Sequence, residues 1–243
     1  MRIIFWGTPE YSVKSLEVLK KSDHDIVAVI TQPDKKRSRG NKLIASPVKE
    51  YATKENIQVF TPETIKDNIQ FIRRLKELSC DLFIVIAYGK ILPKAILDIP
   101  KYKSWNAHAS LLPRWRGAAP IQWSILEGDK FTGVGIMKME EGLDTGDVIV
   151  EKQIKIDSND NLKTLSKRLS DLSSELVLRA LSDIEQNKNR DINLLLKKQT
   201  DFQRELKYAR MINKLDYIIN WEQTSTDIYR KINALYPRAN TIY

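Results

Sequence analysis

The chain has 243 residues, a formal net charge of +9, a pI near 9.4 and a single cysteine. Its 42% hydrophobic and 29% charged residues describe an ordinary folded protein and exclude a disordered or membrane-embedded chain, and one cysteine excludes an internal disulfide and fits a reducing cytoplasm. The charge favours a polyanionic partner, either nucleic acid or an acidic membrane face, without choosing between them.

The hydrophobic pattern predicts strands and helices in alternation. β-branched and short apolar runs indicate strands, and spacings of three and four indicate helices. In chain order the predictions are strand 3–6, helix 11–20, strand 26–31, a basic loop 34–42, helix 47–54, strand 58–60, helix 63–78, strand 82–87, a short helix after Pro93, a strand ending with Asn106 and His108, helix 118–127, strand 132–139, strand 148–156 and helix 162–184.

The repeated strand–helix order predicts an open, doubly wound, mostly parallel α/β sheet. It covers residues 1–188, which we expect to form one domain. Polar residues 187–191 indicate a linker, and residues 202–215 and 225–235 have helical spacing. We therefore expect residues 189–243 to form a linker and a helical extension.

The sequence shows neither an export signal nor a membrane span. The apolar run at residues 3–6 lacks the charged lead and long apolar core of a signal peptide. No stretch approaches the ~20 apolar residues of a membrane span. We expect a cytoplasmic protein with no membrane partner.

Asn106 and His108 stand two positions apart near the end of a predicted strand. Side chains at i and i+2 of a strand point to the same side, so an amide and an imidazole face one space. Imidazole titrates near neutrality and serves as general base or acid, and an amide can donate to an oxyanion. The pair predicts acyl-group transfer.

A glycine-flanked loop at residues 142–147 offers this pair a carboxylate. A carboxylate hydrogen-bonded to the remote imidazole nitrogen would fix its tautomer and raise its basicity. Asp144 and Asp147 are the candidates, and either could instead stabilise the turn alone. We favour Asp144 because Gly142 and Gly146 free the backbone around it.

Other chemistries have weaker support. The first βα turn has one glycine, Gly7, where a dinucleotide fingerprint has three. His24, His108 and Cys80 are far apart and have no ligand-spaced neighbours, so we expect no metal. Trp115 and Trp123 could stack on a base or a pterin-like ring, although core packing is the better interpretation of Trp123.

The loop at residues 34–42 is either a solvated surface or an arm that contacts phosphates, because Lys and Arg supply sequence-independent affinity for nucleic acid. The residues that would make such contacts are Lys35, Lys36, Arg37, Arg39 and Lys42.

Residues 106–113, NAHASLLP, resemble the folate-dependent formyltransferases, and the continuation RWRGAAPI at residues 114–121 resembles the methionyl-tRNA formyltransferases. Further segments share the resemblance: FWGTP at 5–9, TQPD at 31–34, SPVK at 46–49, VIAYG at 85–89 and GLDTGD at 142–147. It covers the predicted α/β domain from end to end.

The resemblance implies a Rossmann-like domain that uses 10-formyltetrahydrofolate as co-substrate, with Asn106, His108 and Asp144 catalytic. The residues implied to line the folate site are Ser110, Leu111, Leu112 and Pro113. The basic loop, Arg39 especially, is implied to reach the acceptor end of tRNA. Family members carry a C-terminal β-barrel domain, and we expect residues 189–243 to hold only its beginning. We also expect the protein to be a monomer.

The predicted reaction is attack of the methionyl amino group of initiator tRNA on the formyl carbon. Asn106 would donate to the oxyanion, His108 would move the proton and Asp144 would hold His108. Two alternatives stay open: the same transfer to an amino-sugar nucleotide, and a non-catalytic, basic RNA-binding remnant.

Overall fold

The structure, a computed structural model, describes residues 1–37 and 42–241. Its strands and longer helices in chain order are β1 (Arg2–Gly7), α1 (Glu10–Lys20), β2 (Asp25–Ile30), β3 (Lys35–Arg37), β4 (Lys42–Ile44), α2 (Pro47–Lys54), β5 (Val59–Phe60), α3 (Ile69–Glu77), β6 (Leu82–Ile86), α4 (Lys94–Leu97), β7 (Ser104–His108), β8 (Arg116–Gly117), α5 (Pro120–Leu126), β9 (Phe131–Lys138), β10 (Val148–Lys155), α6 (Leu162–Gln186), β11 (Tyr208–Ala209) and α7 (Ser225–Ala234). Short 3-10 helices at Ile192–Leu195, Gln199–Asp201 and Leu215–Tyr217 complete the list.

Seven strands form one open sheet in the order β10-β9-β7-β6-β1-β2-β5. The five strands from β7 to β5 are parallel, and β9 and β10 join them antiparallel. The predicted doubly wound, mostly parallel α/β fold is confirmed, with a C-terminal helix beyond the sheet. The strand order reverses between β1 and β6, one strand away from β7, so the carboxyl end of β7 lies beside the switch point where such sheets bind ligands.

Helices cover both faces of the sheet, which is why the central strands are apolar throughout. Every residue of β6 is buried. One hydrophobic cluster joins the sheet to α1, α2, α5, α6 and α7, and a second joins the opposite face to α3 and α4. Two-sided burial is the general reason that parallel strands read as unbroken apolar runs.

The longest helix, α6, begins at a capping box. The side chain of Asn161 accepts hydrogen bonds from the backbone of Lys163 and Thr164, and the Thr164 hydroxyl accepts one from the Asn161 backbone. These bonds satisfy amides that the first helical turn leaves unpaired. The predicted helix at 162–184 is therefore confirmed to within two residues.

The prediction of a helix over 202–215 is wrong. Residues 207–209 instead pair with the segment before α5: the amide of Arg116 donates to the Lys207 carbonyl at 3.0 Å, and that of Ala118 donates to Ala209 at 2.8 Å. Those backbone groups cannot also form a helix. Spacing within the segment carries no record of this tertiary pairing.

Two other predictions need smaller corrections. Residues 35–37 of the loop predicted at 34–42 form β3, which pairs antiparallel with β4, with Lys35 opposite Ile44. The helix expected at 63–78 begins only at Ile69, because Asp67 adopts φ 57° and the side chain of Asn68 caps the amide of Phe71. Across the described part of the chain, no helix combines the length and apolar character needed to cross a membrane.

Candidate active site

The end of β7 carries two polar side chains into a space closed by a loop. Asn106 pairs in register with Val85 of β6 and Met137 of β9, and His108 pairs with Gly135. The Asn106 amide nitrogen lies 3.4 Å from Oδ1 of Asp144, and Nδ1 of His108 lies 3.7 Å from Oδ2. The structure therefore brings the three predicted residues together.

Asp144 reaches this place through a tight turn between β9 and β10. Its backbone has φ 51°, and its Oδ2 accepts a hydrogen bond from the amide of Gly117 at 2.8 Å. A β-carbon at Gly146 would overlap the Lys138 carbonyl oxygen, so a glycine is required there. Of the two candidate carboxylates, Asp144 is the one in contact with Asn106 and His108.

The tautomer of His108 is set by a backbone carbonyl. His108 is buried, with 5% of its surface exposed, and its Nε2 lies 2.9 Å from the Trp115 carbonyl oxygen. A carbonyl only accepts, so Nε2 carries the proton and Nδ1 of the neutral ring presents its lone pair. We expected Asp144 to hold the remote nitrogen, and that expectation is wrong: Trp115 does so, while Asp144 faces Nδ1.

Trp115 is fixed in turn by Asp129, a residue that we did not predict. The Trp115 indole donates to Oδ2 of Asp129 at 2.7 Å, and Arg114 donates to both carboxylate oxygens at 3.0 and 2.7 Å. The Trp115 and Trp123 rings stack with centroids 6.1 Å apart. Trp115 is 4% exposed, so its ring packs in the protein. Sequence offered no signal for Asp129, because only the fold brings it to Trp115.

The turn after β7 is buried along its whole length. Its four residues, proposed as folate-lining, are Ser110, Leu111, Leu112 and Pro113. The Ser110 hydroxyl donates to the Arg114 carbonyl at 2.6 Å, and Leu112 packs with Met137 and Val148. That these four residues line a folate site stays a prediction.

A cavity of about 470 Å³ adjoins the Asp144 loop. It is lined by Lys94, Leu97, Asp98, Lys103, Lys138, Met139, Glu140, Glu141 and Gly142. Ion pairs with Lys94 and Lys103 hold the pKa of Asp98 below its usual value. The volume lies within the range of small-molecule sites. Within the residues that the structure describes, no cluster of three or more His, Cys, Asp or Glu could hold a metal ion.

The basic loop leaves the carboxyl end of β2, which lies at the same edge of the sheet as the end of β7. Lys35 is exposed, Lys36, Arg37 and Lys42 have their backbone in β3 and β4, and Arg39 lies outside the described residues. An ion pair between Lys49 and Asp34, 2.7 Å long, anchors the base of this hairpin.

Comparison with known proteins places the chain among formyl transferases. The family model described as formyl transferase matches residues 1–181. Two relatives from Prochlorococcus marinus, each named methionyl-tRNA formyltransferase, are 91% (strain MED4) and 82% (strain MIT 9515) identical over all of this chain and 74% of each relative. One from Synechococcus sp. (strain CC9311) with the same name is 48% identical over all of this chain and 72% of its own length.

Solved structures of low identity share the fold. A 4-N formyltransferase from Francisella tularensis superimposes with a TM-score of 0.74 at 18% identity, over 100% of this chain and 92% of that one. A sugar N-formyltransferase from Shewanella sp. gives 0.72 at 17% identity, over 100% and 93%. At such identity the likeness concerns the fold alone.

Proposed function

We infer the reaction of this chain from its family, since the chain belongs to the methionyl-tRNA formyltransferases. It transfers the formyl group of 10-formyltetrahydrofolate to the amino group of methionyl-tRNA. Relatives up to 91% identical bear that name, and they favour tRNA over an amino-sugar nucleotide or a non-catalytic RNA-binding role. The observation that carries the proposal is the convergence of Asn106, His108 and Asp144 at the end of β7.

We propose that the folate donor binds beside the Asp144 loop. The cavity of about 470 Å³ beside the Asp144 loop has the volume of a small-molecule site. Ser110, Leu111, Leu112 and Pro113 do not line this cavity, and we propose that their buried turn supports the end of β7 behind the donor. When bound, the donor supplies the formyl carbon and the nitrogen that leaves it.

Asn106 is proposed to stabilise the negative charge that develops on the formyl oxygen. Its amide nitrogen points into the shared space and its strand fixes it beside His108. A fixed donor costs no reorganisation when charge develops, and one such donor contributes roughly 2.7–4 kcal/mol in other enzymes.

His108 is proposed to carry the proton. Transfer forms a bond from the methionyl nitrogen to the formyl carbon and breaks the bond to the donor nitrogen, so the amine loses one proton and the donor nitrogen gains one. Nδ1 of His108 can accept the proton that the amine loses, because Nε2 already donates to the Trp115 carbonyl. The same nitrogen can then return it to the leaving group.

Asp144 is proposed to stabilise the imidazolium that forms in between. Its Oδ2 lies 3.7 Å from Nδ1, and the Gly117 amide holds the carboxylate in place. The carboxylate therefore lies where it can attract the positive charge that the ring gains during transfer.

The basic loop is proposed to contact the tRNA backbone. Lys35, Lys36, Arg37, Arg39 and Lys42 supply five positive charges in eight residues, at the same edge of the sheet as the site. Such contacts position a nucleic acid without reading its sequence. The initiator form of methionyl-tRNA is the proposed acceptor.

The test compares the two histidines of the chain. His108→Ala should lower the single-turnover formylation rate by about 100- to 10,000-fold, and Asp144→Asn should lower it because the imidazolium loses its counter-charge. His24→Ala, far from the site, is the matched control and should leave the rate unchanged. A His108→Ala or Asp144→Asn rate within about threefold of the parent would refute these roles.

A further inference from the structure

The chain between α6 and β11 crosses the loop that carries Asp144. Lys197 and Val148 exchange two backbone hydrogen bonds of 2.9 Å. Arg204 forms two bonds with Glu151, at 2.7 and 2.6 Å, and a third with the Leu112 carbonyl at 3.0 Å. We call residues 197–209 the strap. The strap is thus bonded both to β10 and to the turn after β7.

Gln199 lies near the start of the strap and is 4% exposed. Its side-chain nitrogen donates to the carbonyl oxygens of Asp144 at 2.8 Å and Gly146 at 2.7 Å. Its side-chain oxygen accepts from Nε and Nη2 of Arg116 at 2.9 and 2.7 Å. Both protons and both lone pairs of the amide are therefore used.

These four bonds hold both partners of one hydrogen bond in the site, the bond from the Gly117 amide to the Asp144 carboxylate. On one side Gln199 holds the backbone of Asp144, whose φ of 51° is unfavourable for a residue with a side chain. On the other side it holds Arg116, which directly precedes Gly117. The Gly117 amide donates to the Asp144 carboxylate. One side chain thus fixes the carboxylate and its backbone donor relative to each other.

We propose that Gln199 is a positioning residue for the formyl-transfer reaction, acting through the backbone of Asp144 and through Arg116. The inference rests on the proposed function of Asp144 and extends it to a residue beyond the 1–188 boundary predicted from sequence. The amide of Gln199 is fully bonded to Arg116, Asp144 and Gly146, so we assign it no direct role in the reaction. It holds the carboxylate at the distance from His108 at which the imidazolium is stabilised.

The test is Gln199→Glu, which is nearly isosteric. A carboxylate still accepts from Arg116 but cannot donate, so the Asp144 and Gly146 carbonyls lose their partner and face a negative charge. We expect kcat to fall by about 100-fold, the cost of displacing a catalytic group by about 1 Å. The KM for methionyl-tRNA should stay within about threefold, because the basic loop proposed to bind tRNA is untouched.

Gln153→Glu is the matched control, since it makes the same change on the exposed face of β10, and its kcat should equal that of the parent. Imidazole ¹⁵N spectra give a readout independent of turnover. The His108 resonances, assigned with the His24→Ala variant, should shift in Gln199→Glu and not in Gln153→Glu. Gln199→Met, which removes the bonds without adding charge, replaces Gln199→Glu if the latter does not fold.

A Gln199 variant with parental kcat and an unshifted His108 spectrum would overturn the proposal. An equal fall in kcat for Gln153→Glu would do the same. If the parent protein itself did not formylate methionyl-tRNA, the proposed function would fail, and the His108 spectrum would still decide whether Gln199 positions the Asp144 loop.

Discussion

At the scale of the residue, two backbone groups define the chemistry of the side chains. The Trp115 carbonyl selects the tautomer of His108, and the Gly117 amide holds the carboxylate of Asp144. Both residues have positive φ, 66° and 123°. A β-carbon on Gly117 would lie 2.6 Å from the Ala209 carbonyl oxygen. The segment is therefore built around conformations that most residues avoid, as is common at functional sites.

A residue-scale prediction concerns the one thiol. Burial raises the pKa of Cys80 to about 12, so nearly all of it is the unreactive thiol at pH 8, since the thiolate is the nucleophile. We expect iodoacetamide to modify Cys80 far more slowly in the folded protein than in urea, as followed by mass spectrometry. Equal rates in the two states would show that the thiol is not shielded.

At the scale of the element, the sequence predicted the sheet well. Strands such as β6 are buried on both faces, so composition and length alone identify them. The Asn106–His108 pair was equally visible, because strand alternation is local. The placement of Asp144 beside them was inferred from glycine spacing and from the family resemblance.

Elements that depend on tertiary pairing could not be predicted. Residues 202–215 have helical spacing, yet the backbone of Tyr208 and Ala209 pairs with β8. The side chain of Arg204 in the same segment bonds to Glu151 of β10. Asp129 and Gln199 carry no local signal, since each acts on a residue 14 or more positions away. The predictions failed where a structure depends on contacts between residues distant in the sequence.

The cap of α6 offers a prediction at this scale. Asn161→Ala removes the acceptor for the Lys163 and Thr164 amides, and should lower the free energy of unfolding by about 1 kcal/mol. The cap is part of no proposed site, so kcat should not change. Urea unfolding and formylation assays on the same preparation test both statements, and a variant as stable as the parent would contradict the first.

At the scale of the whole molecule, the site is assembled from distant parts of the chain. The end of β7, the turn at 114–117, the 139–147 loop and the strap all contribute, and hydrogen bonds connect each to the next. The chain as a whole carries a surplus of nine positive charges. Such a field raises the rate of encounter with a polyanion and is screened by salt.

The most direct test of the central claim is a competition between acceptors at rising ionic strength. With 10-formyltetrahydrofolate as donor, the protein is given methionyl-tRNA and an amino-sugar nucleotide together. We expect formyl-methionyl-tRNA as the product, with kcat/KM falling steeply as salt rises because tRNA binding releases counterions. Formylation of the sugar in preference to the tRNA, or of neither, would contradict the account.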